Sequence, residues 1–408
     1  MAVQRKHWKF MRVVPVLALI AGACSLPASA AAPKKLGSAV TVMMLSQITN
    51  PAFSSPETVG AAKAVVANIN AANGLGGHRI KLVTCDDKGD ATTAGNCART
   101  AVADKAVAVV DGISVNGATI LPILNAGRIP YLESPSVPTD ASNPDGFPIN
   151  GGTSAYYGGD GELLALSGCT KAAVLYDSTN PVGVQGGDQT QAGVEAEGGT
   201  VVASIGVPET ATSLTATVAQ VDASGATCIG ADLVPQILIS LLTAIAQSTD
   251  PTITVSTIGP AFPAQVADAV GAAAAHVLIV NFPFLPTAPQ SAAFVSVMKK
   301  GHVTNLSSFA QNVFVGFKML QSALSHHKGP LTGVIVRKTL DSETNLHVST
   351  VPTPYDFAKP FPTPAYSRLV NLYMVGYSFN GTNFVPLTGK ESLINATPAL
   401  KKFIKDGK

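Results

Sequence analysis

The stretch INAANGLGGHRIKLVTCDD, residues 69–87, decides the fold of the chain around it. Apolar side chains recur every three or four positions over residues 59–69, which predicts one buried face of a helix. Gly74 follows this run, and glycine is typical of a helix end. Residues 80–83 then alternate as in a strand, and residues 40–45 form an apolar run before the helix. Strand, helix and strand in this order predict one right-handed βαβ unit of a parallel sheet.

The same stretch resembles the first crossover of leucine-type solute-binding proteins, which bind branched-chain amino acids for ABC transporters and have the type I periplasmic binding fold. In that family a helix ending in INAAGG meets a turn, and the next strand ends in paired acids, as Asp86-Asp87 do here. The resemblance extends over residues 39–387. It implies an α/β protein with two doubly wound parallel-sheet lobes joined by a multi-strand hinge.

Strand and helix patterns alternate along most of the chain, and the alternation breaks at 147–152 and at 282–286. Helices are predicted at 289–300 and 306–326, and Asn380-Gly381 predicts a hairpin turn near the C-terminus. The predicted organisation has three parts. They are a signal peptide at 1–30, lobe 1 at 38–150 with 284–365 returning to it, and lobe 2 at 151–283 with 366–408 returning to it.

The composition fits a large buried core and gives no sign of a nucleic-acid ligand. Of the 408 residues, 46% are hydrophobic and 13% are charged. The formal net charge of +2 depends on four basic residues near the N-terminus, and the remaining chain has 23 basic and 25 acidic residues. A slightly acidic chain has no electrostatic footprint for nucleic acid.

Residues 1–30 read as a secretory signal peptide. A basic segment ends at Arg12, residues 13–23 are apolar, and Ala28-Ser29-Ala30 offers small residues before a cleavage site. The apolar run is too short to span a bilayer. Cys24 lies in Ala-Gly-Ala-Cys, which approximates a lipoprotein box, so both lipid anchoring at Cys24 and release into the periplasm, cell envelope or medium stay open.

Four cysteines remain after the signal, and an oxidising compartment favours disulfides between them. Their spacing includes no CxxC, and the histidines form no HxxxH or HExxH, so neither a metal site nor a cofactor is predicted. In a sheet of order 2-1-3-4-5 the first and third strands are neighbours. This places Cys169 beside Cys228, and a bend brings Cys85 to Cys97, so both bridges are expected within a lobe.

Ser114 is the main candidate functional residue of the first half. Residues 112–116 approximate the nucleophile elbow of hydrolases, but Asn116 replaces the second glycine. Alternatively, Ser114 or Asn116 caps the helix that starts near Gly117. In the third interpretation, Ser114 and the backbone N–H groups of Val115, Asn116 and Gly117 bind a carboxylate or another anionic group.

The resemblance supports the third interpretation, because the family has a ligand-contacting Ser at the position of Ser114 and an "SP" ligand segment at 133–136. Two departures put the amino-acid specificity in doubt. Ala261 follows Gly259-Pro260 where the family's acid binds the ligand ammonium, and Val182 stands where many members have an aromatic residue. Asp232 is a candidate substitute for the missing acid, and the alternative is that it caps the helix that follows. The predicted ligand-binding set is Ser114, Val115, Asn116, Gly117, Ser134, Ser136, Asp232, Phe53, Val182 and Ala261.

Three functions are compatible with these patterns. The first is an exported, monomeric receptor that closes on a small solute, either amino acid-like or a small organic acid or amide, and delivers it to ABC permease subunits. The second is a sensory or orphan ligand-binding module without a transporter. The third is a secreted serine hydrolase that uses Ser114. The first is expected, and it is not an enzyme.

Removal of the signal predicts an exported protein without tryptophan, because Trp8 is the only tryptophan in the sequence. Intact mass and ultraviolet absorbance of secreted material measure this. The mass also distinguishes cleavage near Ala30 from lipidation at Cys24, and secreted protein that retains Trp8 would contradict the export prediction.

Overall fold

A computed structural model describes residues 36–50, 54–136, 139–179 and 181–408. The predicted signal peptide, Cys24 and Phe53 lie outside these described residues. Residues Leu36–Lys408 form one compact unit.

In the described residues thirteen strands form two sheets, and the first sheet has five parallel strands in the order β2-β1-β3-β4-β5. The second has the order β12-β11-β10-β9-β8-β6-β7, with β13 also paired to β11. In the first sheet the strands are β1 (Gly37–Ser46), β2 (His78–Asp86), β3 (Ala108–Asp111), β4 (Tyr131–Glu133) and β5 (Gly146–Pro148). In the second they are β6 (Lys171–Asp177), β7 (Thr200–Val207), β8 (Cys228–Asp232), β9 (Thr254–Ile258), β10 (Val277–Asn281), β11 (Tyr373–Phe379), β12 (Phe384–Pro386) and β13 (Leu393–Asn395).

Helices alternate with the strands and cover the sheets, as right-handed crossovers between parallel strands require. Their bounds are α1 (Glu57–Ala71), α2 (Ala91–Ala103), α3 (Gly117–Gly127), α4 (Gly152–Leu166), α5 (Pro181–Ala196), α6 (Thr215–Ser224), α7 (Pro235–Ala246), α8 (Ala264–Val270), α9 (Ala292–Lys300), α10 (Ser308–Ala323), α11 (Gly333–Asp341) and α12 (Thr397–Lys405). In the described part of the chain, none of these helices has the length and apolar character needed to cross a membrane.

The chain passes between the sheets three times. It leaves β5 for α4, it leaves β10 for α9 and α10, and it returns to β11. Helix α10 packs against α1 and β3, and β11 pairs antiparallel with β10. The hydroxyl of Tyr355 donates to the carbonyl of Ile149 at 2.5 Å, and that of Tyr156 donates to the carbonyl of Phe282 at 3.1 Å. These buried hydrogen bonds tie the first two crossings to the sheets on either side.

The predicted fold class is confirmed: the structure is α/β with parallel-strand sheets in two lobes. The hairpin at Asn380-Gly381 is also confirmed, because β11 and β12 pair antiparallel across it. Four of the named elements were not predicted: β5, α11, β13 and α12. The two strands have three residues each, and β5 lies at the segment that was interpreted as a break. The lobe boundaries themselves stay a prediction.

Two large apolar clusters form the core. One contains residues from both sheets, including Val110 of β3 and Met374 of β11, so it is continuous across the crossings. The other lies within the second sheet and its helices. A core that spans both lobes fixes the position of the crossings, which in turn position the loops described below.

Both disulfides pair as the sequence predicts. Cys85 is joined to Cys97 with a Cα–Cα distance of 5.8 Å, and Cys169 is joined to Cys228 with a distance of 6.0 Å. The first links the end of β2 to α2, and the second links the segment before β6 to the start of β8.

We expect the two disulfides to differ in their contribution to stability. They close loops with sequence separations of 12 and 59 residues, and the longer loop constrains the unfolded chain more. On chain-entropy grounds, the double alanine variant at 169 and 228 loses about 4 kcal/mol of unfolding free energy, and that at 85 and 97 about 3 kcal/mol. Equilibrium denaturation of the two variants, each with its remaining disulfide oxidised, measures these losses. A larger loss for the variant at 85 and 97 would contradict the expectation.

Candidate functional site

The carboxyl end of the first sheet is organised by Asp86 and Asp87. Asp86 Oδ1 accepts hydrogen bonds from the backbone N–H of Ile48 at 2.9 Å and of Lys88 at 3.0 Å. Asp86 Oδ2 accepts from the hydroxyl of Thr49 at 2.5 Å. The paired acids therefore hold the loop after β1 against the loop after β2.

The hydroxyl of Ser114 lies behind this loop and already has a partner. Ser114 is 3% exposed and donates to Asp87 Oδ2 at 2.5 Å. The side-chain amide of Asn116 donates to the same oxygen at 3.3 Å, and the backbone N–H of Asn116 donates to Ser114 Oγ at 3.2 Å. The carboxylate of Asp140 lies against Gly117 at the start of α3. Carboxylates of the chain itself therefore occupy the surroundings of the expected anion site.

More buried acids lie close to Ser114 and were not predicted. Burial raises the pKa of Asp111 well above its usual range, and the charges of Asp87 and Asp140 raise it further. Burial likewise raises the pKa of Glu133, with Asp140 and Asp111 adding to the effect. The charges of Asp87 and Asp140 disfavour a ligand carboxylate in this region, as they disfavour the ionised form of Asp111. Ligand binding by Ser114 stays a prediction. The acidic surroundings make a carboxylate an unfavourable ligand group for it.

The Ser134–Ser136 segment lies where the chain crosses between lobes. Ser134 is buried and donates to Asn150 Oδ1 at 3.0 Å, and Ser136 donates from its hydroxyl to the carbonyl of Ser134 at 3.1 Å. Gly152 has a φ of +59°, and a Cβ there would collide with the carbonyl of Pro135. Only glycine can therefore bring the start of α4 this close to the segment.

Asp232 ends β8 and is buried beside a second acid. The hydroxyl of Thr190 donates to Asp232 Oδ2 at 2.6 Å, and the hydroxyl of Ser256 donates to Asp160 on α4. Burial raises the pKa of Asp232 to about 7 and raises that of Asp160 well above its usual range, with the neighbouring Asp232 adding to the latter shift. The side chain of Asp232 is 3% exposed, so the structure places it inside lobe 2.

The other predicted residues lie apart from one another. Val182 is half-buried in the first turn of α5, and Val115 is 47% exposed after β3. Ala261 is 5% exposed and belongs to the apolar core of lobe 2. The side chain of Ala261 therefore makes packing contacts. It bears on the ligand only because an alanine has no carboxylate to bind an ammonium group.

The geometry also bears on a nucleophilic centre at Ser114 and on a metal centre. The hydrogen-bond partners given above for Ser114 are Asp87 and Asn116, so no histidine base contacts it within the described ranges. In the same residues no group of three or more His, Cys, Asp or Glu side chains has a geometry that could hold a metal ion.

A small cavity lies between the lobes, next to the crossings. Its lining includes Pro135 from the first lobe, Gly151 from the crossing and Gln189 from α5. Gln189 was not predicted, because a glutamine in the middle of a helix carries no local signal of ligand contact. The cavity depends on tertiary packing between α4 and α5.

The raised pKa values predict how stability changes with pH. An unfolded aspartate is ionised above a pH of about 4, whereas Asp160 and Asp232 keep their protons in the folded state to higher pH. Their contribution to stability is complete below about pH 4 and is lost as the pH rises through their raised pKa values, that of Asp232 being about 7. Asp160→Asn is expected to raise the unfolding free energy at pH 8, and to raise it by less at pH 5.

Denaturation at pH 5 and pH 8 measures this effect. Asp268→Asn on the exposed face of α8 is the matched control and should follow the parent protein at both pH values. Equal effects of Asp160→Asn at pH 5 and pH 8 would contradict the buried carboxyl pair.

Comparisons with known proteins agree with this architecture. The sequence matches the periplasmic binding protein family over residues 40–367. The leucine-, isoleucine-, valine-, threonine- and alanine-binding protein from Brucella ovis superposes with a TM-score of 0.74 at 17% identity, covering 88% of this chain and 96% of that chain. An extracellular ligand-binding receptor from Verminephrobacter eiseniae gives a TM-score of 0.69 at 19% identity, covering 84% and 98%.

An ABC transporter substrate-binding protein from Desulfitobacterium hafniense, in complex with Leu, gives a TM-score of 0.69 at 16% identity and covers 86% of this chain and 100% of that chain. A search of curated proteins finds no match. At these identities the structures establish a shared fold. The family match covers most of the sequence, and the chain belongs to the periplasmic binding protein family.

Proposed function

We propose that this protein is an exported substrate-binding protein of an ABC importer, which captures a small solute in the cleft between its lobes. The family and fold are those of solute-binding proteins, which are not enzymes, and the family suggests an exported, periplasmic location. Signal cleavage, lipid anchoring, a monomeric state and docking to permease subunits belong to this proposal.

One observation carries the proposal: loops from the carboxyl ends of both sheets meet at the crossings. Pro135 follows β4 of the first sheet, Gln185 lies on α5 after the first strand of the second sheet, and both line one cavity beside Gly151. In open α/β sheets, ligands bind at the carboxyl ends of the strands. Closure of two lobes about a hinge then encloses the ligand.

The surroundings of this cleft bear on the ligand. Asp87 and Asp140 oppose a ligand carboxylate at Ser114, and Ala261 supplies no partner for an ammonium group. Burial raises the pKa of Asp232 to about 7, so near neutral pH it is only partly ionised and is a weaker partner for an ammonium group than an ordinary aspartate. These features favour solutes other than ordinary amino acids.

A sensory or orphan module without a transporter uses the same cleft, and the two differ only in whether permease and ATPase genes lie nearby. A hydrolase is disfavoured, because Ser114 hydrogen-bonds to Asp87 where a nucleophile would need a base.

A tryptophan at position 115 is expected to report ligand binding. The mature protein has no tryptophan if the signal is removed, so Val115→Trp gives a single tryptophan, which can be excited selectively over tyrosine, beside the proposed cleft. A thermal-shift screen of amino acids, amides and small organic acids identifies binders, because a ligand that binds only the folded state raises the melting temperature. Binders should then shift the emission of Val115→Trp.

Val385→Trp is the matched control, since Val385 is 40% exposed on β12, away from the carboxyl ends of the parallel strands. Its emission should not respond to the same compounds. Binding that changes the emission at 385 and leaves the emission at 115 constant would place the ligand elsewhere and contradict the cleft.

A further inference from the structure

The cavity beside the crossings is lined by Gln189, whose side chain has a buried hydrogen-bond acceptor without a donor among the described residues. Gln189 is 3% exposed, and its Nε2 donates to Ser154 Oγ on α4 at 3.1 Å. Its other amide atom, Oε1, is buried and has no hydrogen-bond partner among the described residues. An unpartnered buried carbonyl has lost its hydration without gaining a hydrogen bond, so a donor is expected to satisfy it when the cavity is filled.

The position of Gln189 is fixed by close packing of α4 on α5. A Cβ at Gly161 would collide with the carbonyl of Thr190, and a Cβ at Gly193 would collide with the carbonyl of Gly158. The two backbones therefore approach closely, and the amide of Gln189 is held against α4. A rigid, buried acceptor of this kind is typical of residues that orient a ligand.

The size and charge of the cavity limit what enters it. It has a volume of about 10 Å³, which is room for about one water molecule or one polar ligand group. Its described lining is uncharged, and its polar side chains are Thr153, Ser154, Gln185, Gln189 and Tyr366. An ionised group would lose its hydration there without gaining a counter-charge, whereas a neutral donor would not.

We propose that this cavity is the inner end of the ligand site and holds a hydroxyl or amide N–H of an uncharged ligand group, with Gln189 Oε1 as the acceptor that determines specificity. This inference rests on the proposed function and adds a substrate class, neutral alcohols and amides. The lobes contribute jointly, because Pro135 and Gln189 line the same space.

The test uses four compounds with one carbon skeleton: isoamyl alcohol, isovaleramide, isovalerate and isoamylamine. Calorimetry at pH 7 should show that the alcohol and the amide bind more tightly than the carboxylate and the amine. Gln189→Met keeps the size of the side chain and removes the acceptor. It should weaken binding of the alcohol and amide about five- to tenfold.

Gln191→Met is the matched control, because Gln191 lies on the same helix and hydrogen-bonds to Glu195. It should leave all four affinities unchanged. Equal affinities in the two variants, or tighter binding of a charged compound, would overturn the subsite. Failure of all four compounds to bind would also overturn it, whereas the proposed function survives if the wider screen yields any cleft ligand.

A crystal structure of the unliganded protein provides a test that needs no ligand or variant. It should contain a water molecule within about 2.7–3.2 Å of Gln189 Oε1. A dry cavity at a resolution that shows ordered water would overturn the inference.

Discussion

The arrangement of the first lobe depends on one pair of carboxylates, Asp86 and Asp87. Asp86 accepts hydrogen bonds from the loop after β1, and Asp87 accepts from Ser114 in the loop after β3. Parallel strands give no direct connection between their carboxyl-end loops, so contacts from a neighbouring strand must hold those loops in place. Hydrogen bonds to a charged acceptor are about twice as strong as neutral ones. The paired acids are therefore a structural requirement of this edge, before any ligand is considered.

In the second lobe, close packing at glycines and hydrogen bonds to buried acids hold the elements in place. Glycines on α4 and α5 remove the side chains that would keep the helices apart, and Thr190 then reaches Asp232 at the end of β8. A carboxyl group in this environment is neutral over a wider pH range than usual, because desolvation disfavours its charged form. Both lobes therefore contain a buried acid that accepts a hydrogen bond from a buried hydroxyl, Ser114 to Asp87 in the first and Thr190 to Asp232 in the second.

The fold was predictable from the sequence because most of its strands and helices have recognisable local patterns. The helix end at Gly74 and the paired acids identified the first βαβ unit, and the Cys169–Cys228 bridge followed from strand order alone. The strands that were not predicted, β5 and β13, have too few residues to show periodicity, whereas α12 has an amphipathic pattern that was overlooked. The type of an element is predictable where an apolar pattern repeats several times. It is not predictable for a three-residue strand that only tertiary contacts stabilise.

The candidate site was less predictable, for a physical reason. The sequence placed Ser114 correctly after β3, but hydrogen-bond partners come from tertiary structure, and the carboxylate of Asp87 was not foreseen as its acceptor. Asp232 likewise lies at the end of its strand as expected, while its burial beside Asp160 changes its charge at neutral pH. Gln189 gives no sequence signal, because its importance comes from an oxygen that packing has left without a donor. Residue type and position along a strand fix which groups are near the cleft, whereas burial and pairing decide which of them can still bind a ligand.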